Sequence, residues 1–189
     1  NSLQLPNKTI AAHDVYVIAN SQAVAAILGV SDTTSTVTFF NGDDAVVLFK
    51  VTDTLDIIGK VGNDPGTNWT VGTGSTLDYT LVRKATVNKG QRNWVIGATE
   101  WDVYPQNTDT DLGMHTSNCI VLPGAPCSEL FFSEYIEGSS NNKAMEIYNP
   151  TSAAVDLSDY VVYRANNGAS TPGDSLFPTG MLASGDVYV

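Results

Sequence analysis

Apolar and polar positions alternate in short runs along most of this chain. The runs are residues 36–40 (TVTFF), 45–51 (AVVLFKV), 55–61 (LDIIGKV), 79–83 (YTLVR), 130–136 (LFFSEYI), 144–148 (AMEIY) and 160–164 (YVVYR). A period of two, carried by β-branched and aromatic residues and bounded by turn formers, predicts strands. Their recurrence predicts an all-β sandwich or barrel. The sequence Phe40-Asn41-Gly42-Asp43-Asp44 predicts a tight hairpin turn, because Asn-Gly tolerates positive φ. Only residues 23–28 depart from this pattern: Asn20 or Ser21 can cap a short helix there, with Gly29 placed to end it. This helix is expected to cross one end of the sandwich.

The pattern at the start returns at the end. Residues 174–189 (DSLFPTGMLASGDVYV) repeat residues 1–17 (NSLQLPNKTIAAHDVYV) with one gap opposite Gln4. The repeat period of about 172 residues is that of a tandem array, with the chain spanning one period in a shifted frame.

Composition narrows the class. A hydrophobic content of 42% with 15% charged residues is that of a globular chain with a sizeable core. No run approaches the roughly 18 apolar residues of a membrane span. The formal charge of -11, from 9 basic and 20 acidic residues, disfavours direct binding of nucleic acid. Cys119 and Cys127 lie in a Pro- and Gly-rich segment, SNCIVLPGAPC, where a disulfide would close a short loop. Such a bridge implies an oxidising compartment and a secreted or cell-surface protein.

Residues able to do chemistry are sparse. The two histidines, His13 and His115, are far apart in turn-like contexts, and Gly185 stands where the second copy would carry His13. No nucleophile and base, or paired carboxylates, can be assembled, so the chain is expected to have no catalytic residues. Asp109 and Asp111, in a run of alternating oxygen-bearing side chains, are the candidates for calcium, though the Gly and distal Glu of an EF-hand are missing. Asp43 and Asp44 read as turn residues bonding their own backbone. On an alternating strand Glu134 shares a face with Phe132 and Ile136, which predicts either a partly buried carboxylate paired with a cation such as Lys143 or a place at the sandwich edge.

Residues 130–149 (LFFSEYIEGSSNNKAMEIYN), 155–160 and 182–189 together resemble the opening half of a bacterial lamin-tail domain. Residues 10–20, 39–46, 56–59, Trp69 and 80–84 resemble its closing half. The resemblance implies an immunoglobulin-like β-sandwich with its halves in permuted order: a closing half at 1–118, a Cys/Pro/Gly linker at 119–127 and an opening half at 128–189. Domains of this kind resemble non-catalytic accessory modules of secreted or surface proteins, sometimes beside extracellular nucleases or other hydrolases. Half a sandwich exposes an unpaired edge and an open apolar face. The halves therefore close on each other within one chain, or between chains by strand exchange into a homo-oligomer, stalk or fibre. The surfaces offered to a protein or carbohydrate ligand are Glu137, Asn141 and Asn142, Trp69, and Asp43 with Asp44.

Overall fold

The computed structural model describes residues 2–6, 8–118 and 127–171. The strands among them are β1 (Ser2–Gln4), β2 (Thr9–Ile10), β3 (Val15–Ala19), β4 (Thr33–Thr34), β5 (Ala45–Lys50), β6 (Asp53–Ile58), β7 (Thr70–Val71), β8 (Gly74–Ser75), β9 (Tyr79–Arg83), β10 (Trp101–Pro105), β11 (Phe131–Glu137), β12 (Lys143–Tyr148), β13 (Val155–Asp156) and β14 (Tyr160–Ala165). Two single-turn helices accompany them, α1 (Ala25–Leu28) and α2 (Trp94–Gly97). A six-stranded sheet has the order β10-β9-β11-β12-β3-β4, and a four-stranded sheet the order β1-β14-β5-β6.

Alternate residues of the facing strands fill the space between these sheets, as in an immunoglobulin-like all-β sandwich. Tyr16 and Ile18 of β3, Phe132 and Tyr135 of β11, and Met145 and Ile147 of β12 enter from one side. Val46 and Leu48 of β5 and Tyr160 and Val162 of β14 enter from the other. Each such side chain contributes about 1.5–3 kcal/mol when fully buried, so this layer dominates the stability. The six-stranded sheet is also covered on its outer face, where Val17, Ala19, Ile136 and Ala144 pack against Ala23, Ile27 and Leu112. Both faces being buried, every residue of β12 is buried, and its lysine and glutamate need partners inside the protein.

The two ends of the chain are interleaved. Strands β11 and β12 lie between β9 and β3, and β14 lies between β1 and β5. The first copy of the repeat supplies β1, β2 and β3, which pair with β14, β13 and β12. The second copy, residues 174–189, lies outside the described residues, as does Cys119.

Local sequence misleads in four places. Residues 36–40 are not a strand: Thr36–Thr38 form a 3-10 turn, capped where the Ser35 side chain accepts from Val37 N, and Phe39 is left 48% exposed. The turn at Asn41-Gly42 consequently joins no hairpin, since the neighbours of β5 are β6 and β14. Helix α1 starts later than expected, at Ala25, without a side-chain cap, because Asn20 Oδ1 accepts from Gln22 N and forms a separate turn. It packs on the outer sheet face through Ile27 instead of crossing an end of the sandwich. A bulge between Phe132 and Glu134 shifts the register of β11, so Glu134 faces away from Phe132, and Lys143 pairs with Glu137 instead.

Candidate functional site

Three connections meet at one end of the sandwich: the β11–β12 turn, the segment leading into β5, and the chain leaving β3. They enclose a cleft of about 440 Å³ lined by Asn20, Gln22, Phe39, Phe40, Asn41, Ser140, Asn141 and Lys143. Hydrogen bonds hold its walls. Asn141 Nδ2 donates to Gln22 Oε1 at 2.8 Å. Asn142 Oδ1 accepts from Val24 N at 3.1 Å, and Asn142 Nδ2 donates to Asn107 Oδ1 at 3.2 Å. Asn107 Oδ1 also accepts from Ser139 N at 2.9 Å, beside Gly138, where a Cβ would come within 2.6 Å of that oxygen. Asn142 is thus a tie that sets the turn, and Asn141 is the side chain the turn presents to the cleft. Phe40 forms the cleft floor, stacked on Tyr135 at 4.4 Å, and Phe39 supplies an accessible ring.

The acidic residues expected on this surface lie behind it. Glu137 is 2% exposed. It pairs with Lys143 and accepts from Asp78 N at 2.6 Å, so it anchors the turn and presents nothing to a ligand. Asp44, also buried, binds Arg164 Nη1 at 2.9 Å and accepts from Asn167 N at 3.1 Å. Asp43 is 8% exposed, and its carboxyl is pushed up by burial, then by Asp44 and by Asp64. Trp69 is half-buried elsewhere, edge-on to Trp94 at 6.5 Å and packed on Gly59, whose Cβ would lie 2.6 Å from the indole ring. Trp94 and Trp101 are core residues. Trp69 lines a second hollow of about 370 Å³ with Lys60, Arg92 and Val95 among its walls.

Asp109 and Asp111 are half-buried in the loop after β10. That loop lies over the outer face of the six-stranded sheet, where Leu112 joins the apolar cluster and Gly113 N donates to Glu146 Oε2 at 2.7 Å. Among the described residues, no three His, Cys, Asp or Glu side chains are gathered as metal ligands. Under this loop, Glu134 stands opposite Glu146, 1% exposed, with neither carboxyl oxygen hydrogen-bonded. Burial, then the charge of Glu146, pushes Glu134 up to about 9. Burial pushes Glu146 up to about 8 despite its hydrogen bonds from Ser133 and Gly113. Both are neutral acids at pH 7.

Two arrangements had no signal in the sequence. Arg83 is 2% exposed and links the sheets: it binds Asp56 of β6 at 2.9 Å and Glu100 at 2.6 Å, over the ring of Trp101. Asp56 in turn accepts from Phe132 N of β11 at 2.9 Å. The two histidines, 102 positions apart in the chain, both meet Tyr148, His13 Nδ1 at 3.1 Å from its hydroxyl and the His115 ring 4.8 Å away. Burial, then the charge of Arg83, lowers His115 to about 4, so its ring is neutral. Neither histidine adjoins a Ser, Cys or Thr nucleophile in the contacts described.

The β11–β12 hairpin that builds the cleft is also where the chain meets known proteins. Residues 123–189 match the family model of the Lamin Tail Domain. No curated protein and no solved structure matches the chain. The lamin tail match begins before β11 and takes in β12, β13 and β14, the strands around which the residues before position 119 are arranged. The Gly138 to Asn142 turn, the support of the cleft, therefore lies within the residues that match the Lamin Tail Domain model.

Proposed function

We propose that the chain is a non-catalytic interaction or adhesion module of a secreted or surface protein, binding its ligand in the cleft at the end of the sandwich. The observation that carries this reading is the chemistry of that cleft. The amides of Gln22, Asn41 and Asn141 supply donors and acceptors side by side, and the half-exposed Phe39 ring offers a stacking face. Neutral hydroxyl-rich ligands require that combination, so a carbohydrate is the favoured class. Cys127 is not a free thiol, and we infer that it pairs with Cys119 in an oxidising compartment. The halves at 1–118 and 128–189 would then be joined by a stiffened linker at 119–127.

The test is an NMR titration of the labelled chain with oligosaccharides of defined composition. Expected are shifts of the Gln22, Asn41 and Asn141 side-chain amides, with at least a tenfold loss of affinity in Asn141→Ala and Phe39→Ala. Shifts confined to the Trp69 hollow, or hydrolysis of the added ligand by the purified chain, count against the reading. Attachment beside a nuclease or other hydrolase, and assembly into a stalk or fibre by strand exchange, are the alternative settings for such a module. Domain order in the full gene and solution mass distinguish them.

A further inference from the structure

The chain carries a net charge of -11, yet its uncommitted cations are gathered in one place. Of nine basic side chains, Lys8, Lys50, Arg83, Lys143 and Arg164 each hold a carboxylate within the fold. The other four, Lys60, Lys84, Lys89 and Arg92, have no carboxylate within ion-pair range among the described residues. They line three hollows that run into one another. Lys60 and Arg92 flank the Trp69 hollow, Arg92 and Lys89 wall a second of about 360 Å³, and Lys89 and Lys84 wall a third of about 250 Å³. We propose that this strip binds an acidic segment of a partner protein, with the partner's carboxylates on the four cations and a bulky apolar side chain in the Trp69 hollow.

The strip is built into the fold. Gln91 N donates to Asp56 Oδ1 at 2.8 Å, and Gln91 O accepts from Ile57 N at 3.2 Å, so the segment carrying Lys89 and Arg92 is fastened to β6. Gly90 passes so near that strand that a Cβ there would lie 2.5 Å from Leu55 O, closer than any other residue allows. Two carboxylates reach the walls, and both are committed to other cations. Glu129 pairs with Lys50 at 2.7 Å and accepts from the Tyr160 hydroxyl at 2.7 Å, and Glu100 pairs with Arg83 at 2.6 Å.

Charge and apolarity together select the partner. The first hollow is walled by the Trp69 and Trp94 indoles, Val95 beside them is 80% exposed, and Ile96 follows it at 50%. Exposed aliphatic side chains next to an indole-walled hollow match an apolar ligand group, which a sugar lacks. Carboxylates spaced along a peptide match the lysines as point charges and Arg92 as a bidentate fork. Nucleic acid or an anionic bilayer would extend past the strip onto a surface whose net charge repels it. A short acidic segment ends before that surface begins. The strip shares no lining residue with the cleft at the end of the sandwich, so the two are tested separately.

The experiment titrates the labelled whole chain with a peptide of about ten residues, glutamates around one central phenylalanine. The Trp69 indole N–H and the backbone amides of Lys89 and Arg92 should shift, while the side-chain amides of Gln22, Asn41 and Asn141 stay in place. Raising NaCl from about 50 to 500 mM should weaken binding about tenfold, as should Lys89→Gln combined with Arg92→Gln. A peptide with glycine in place of the phenylalanine should leave the Trp69 indole unmoved. Thr34→Glu with Ser152→Glu, which changes the net charge equally at exposed positions on β4 and on the β12–β13 turn, should keep the affinity. No shift along the strip, an affinity indifferent to salt or to the glutamine pair, or an equal loss in the Thr34/Ser152 control overturns the proposal. So does tighter binding to a DNA duplex or to anionic lipid vesicles. The salt and peptide arms need no variant, so the test holds if the glutamine pair fails to fold.

Discussion

On β11 the bulge turns Glu134 out of the inter-sheet core and onto the face it shares with Ile136, opposite Glu146. Each of these carboxyls keeps its proton in the fold to about pH 9 and 8, against 4.5 as the ordinary value. The folded state therefore binds more protons than the unfolded state across this window, and stability falls as pH rises through it. His115 acts in the opposite sense below pH 6.5, because its neutral form is held down to about pH 4. The carboxyl effect is consequently read above pH 6.5. Glu134→Gln should flatten the decline of unfolding free energy between pH 6.5 and 9, gaining about 2 kcal/mol at pH 8 relative to its effect at pH 6.5. Denaturant titrations that stay parallel to the parent at both pH values would falsify this account. Simple alternation put Glu134 beside Phe132 and expected a cation for it; one bulged residue reverses the face, and no local pattern announces a bulge. His13 was more legible. It adopts φ 61°, a left-handed conformation that costs a residue with a Cβ about 1–2 kcal/mol, which accounts for Gly185 at its place in the second copy.

At the level of elements, short strands gain uniqueness from what joins them across the sandwich. Strand β6 of one sheet and strands β9 and β11 of the other meet at the Asp56 carboxylate, which is fully buried and takes Arg83 and the Phe132 N–H. Removing the guanidinium leaves that charge uncompensated. Arg83→Met is expected to cost about 3–5 kcal/mol, lowering Tm by roughly 10 °C, although its side chain is of similar volume and apolar. Urea unfolding monitored by tryptophan fluorescence measures it; a cost below about 1 kcal/mol means the pair contributes little. The strands at 45–50, 79–83, 143–148 and 160–165 were legible within a residue or two, since β-branched and aromatic residues there have no competing local partner. The expected strand at 36–40 failed because the Ser35 hydroxyl satisfies the backbone locally. Helix α2 was missed because four residues are too few to show a helical period, and its cap, Asn93, resembles any loop asparagine.

For the molecule as a whole, the interleaving of early and late strands sets the unit of folding. Strands β11 and β12 form the centre of the six-stranded sheet, and β14 lies inside the four-stranded one. Residues 1–118 alone would lack these strands and leave the edges of β9, β3, β5 and β1 open. This fragment is expected to give a poorly dispersed amide spectrum, and adding a peptide of residues 127–171 should restore dispersion. A well-dispersed spectrum from 1–118 alone would mean the early strands close by themselves. The sequence alone determined the all-β class, the positions of the long strands and the duplication of the ends, because alternation and repetition are properties of neighbours along the chain. Tertiary structure alone decided which copy of the repeat is seen filling the sheet, which carboxylates are buried, and how the cleft assembles. Asp44 and Arg164, or Gln22 and Asn141, are more than a hundred positions apart, and only strand pairing through a shared core brings such residues within hydrogen-bonding range.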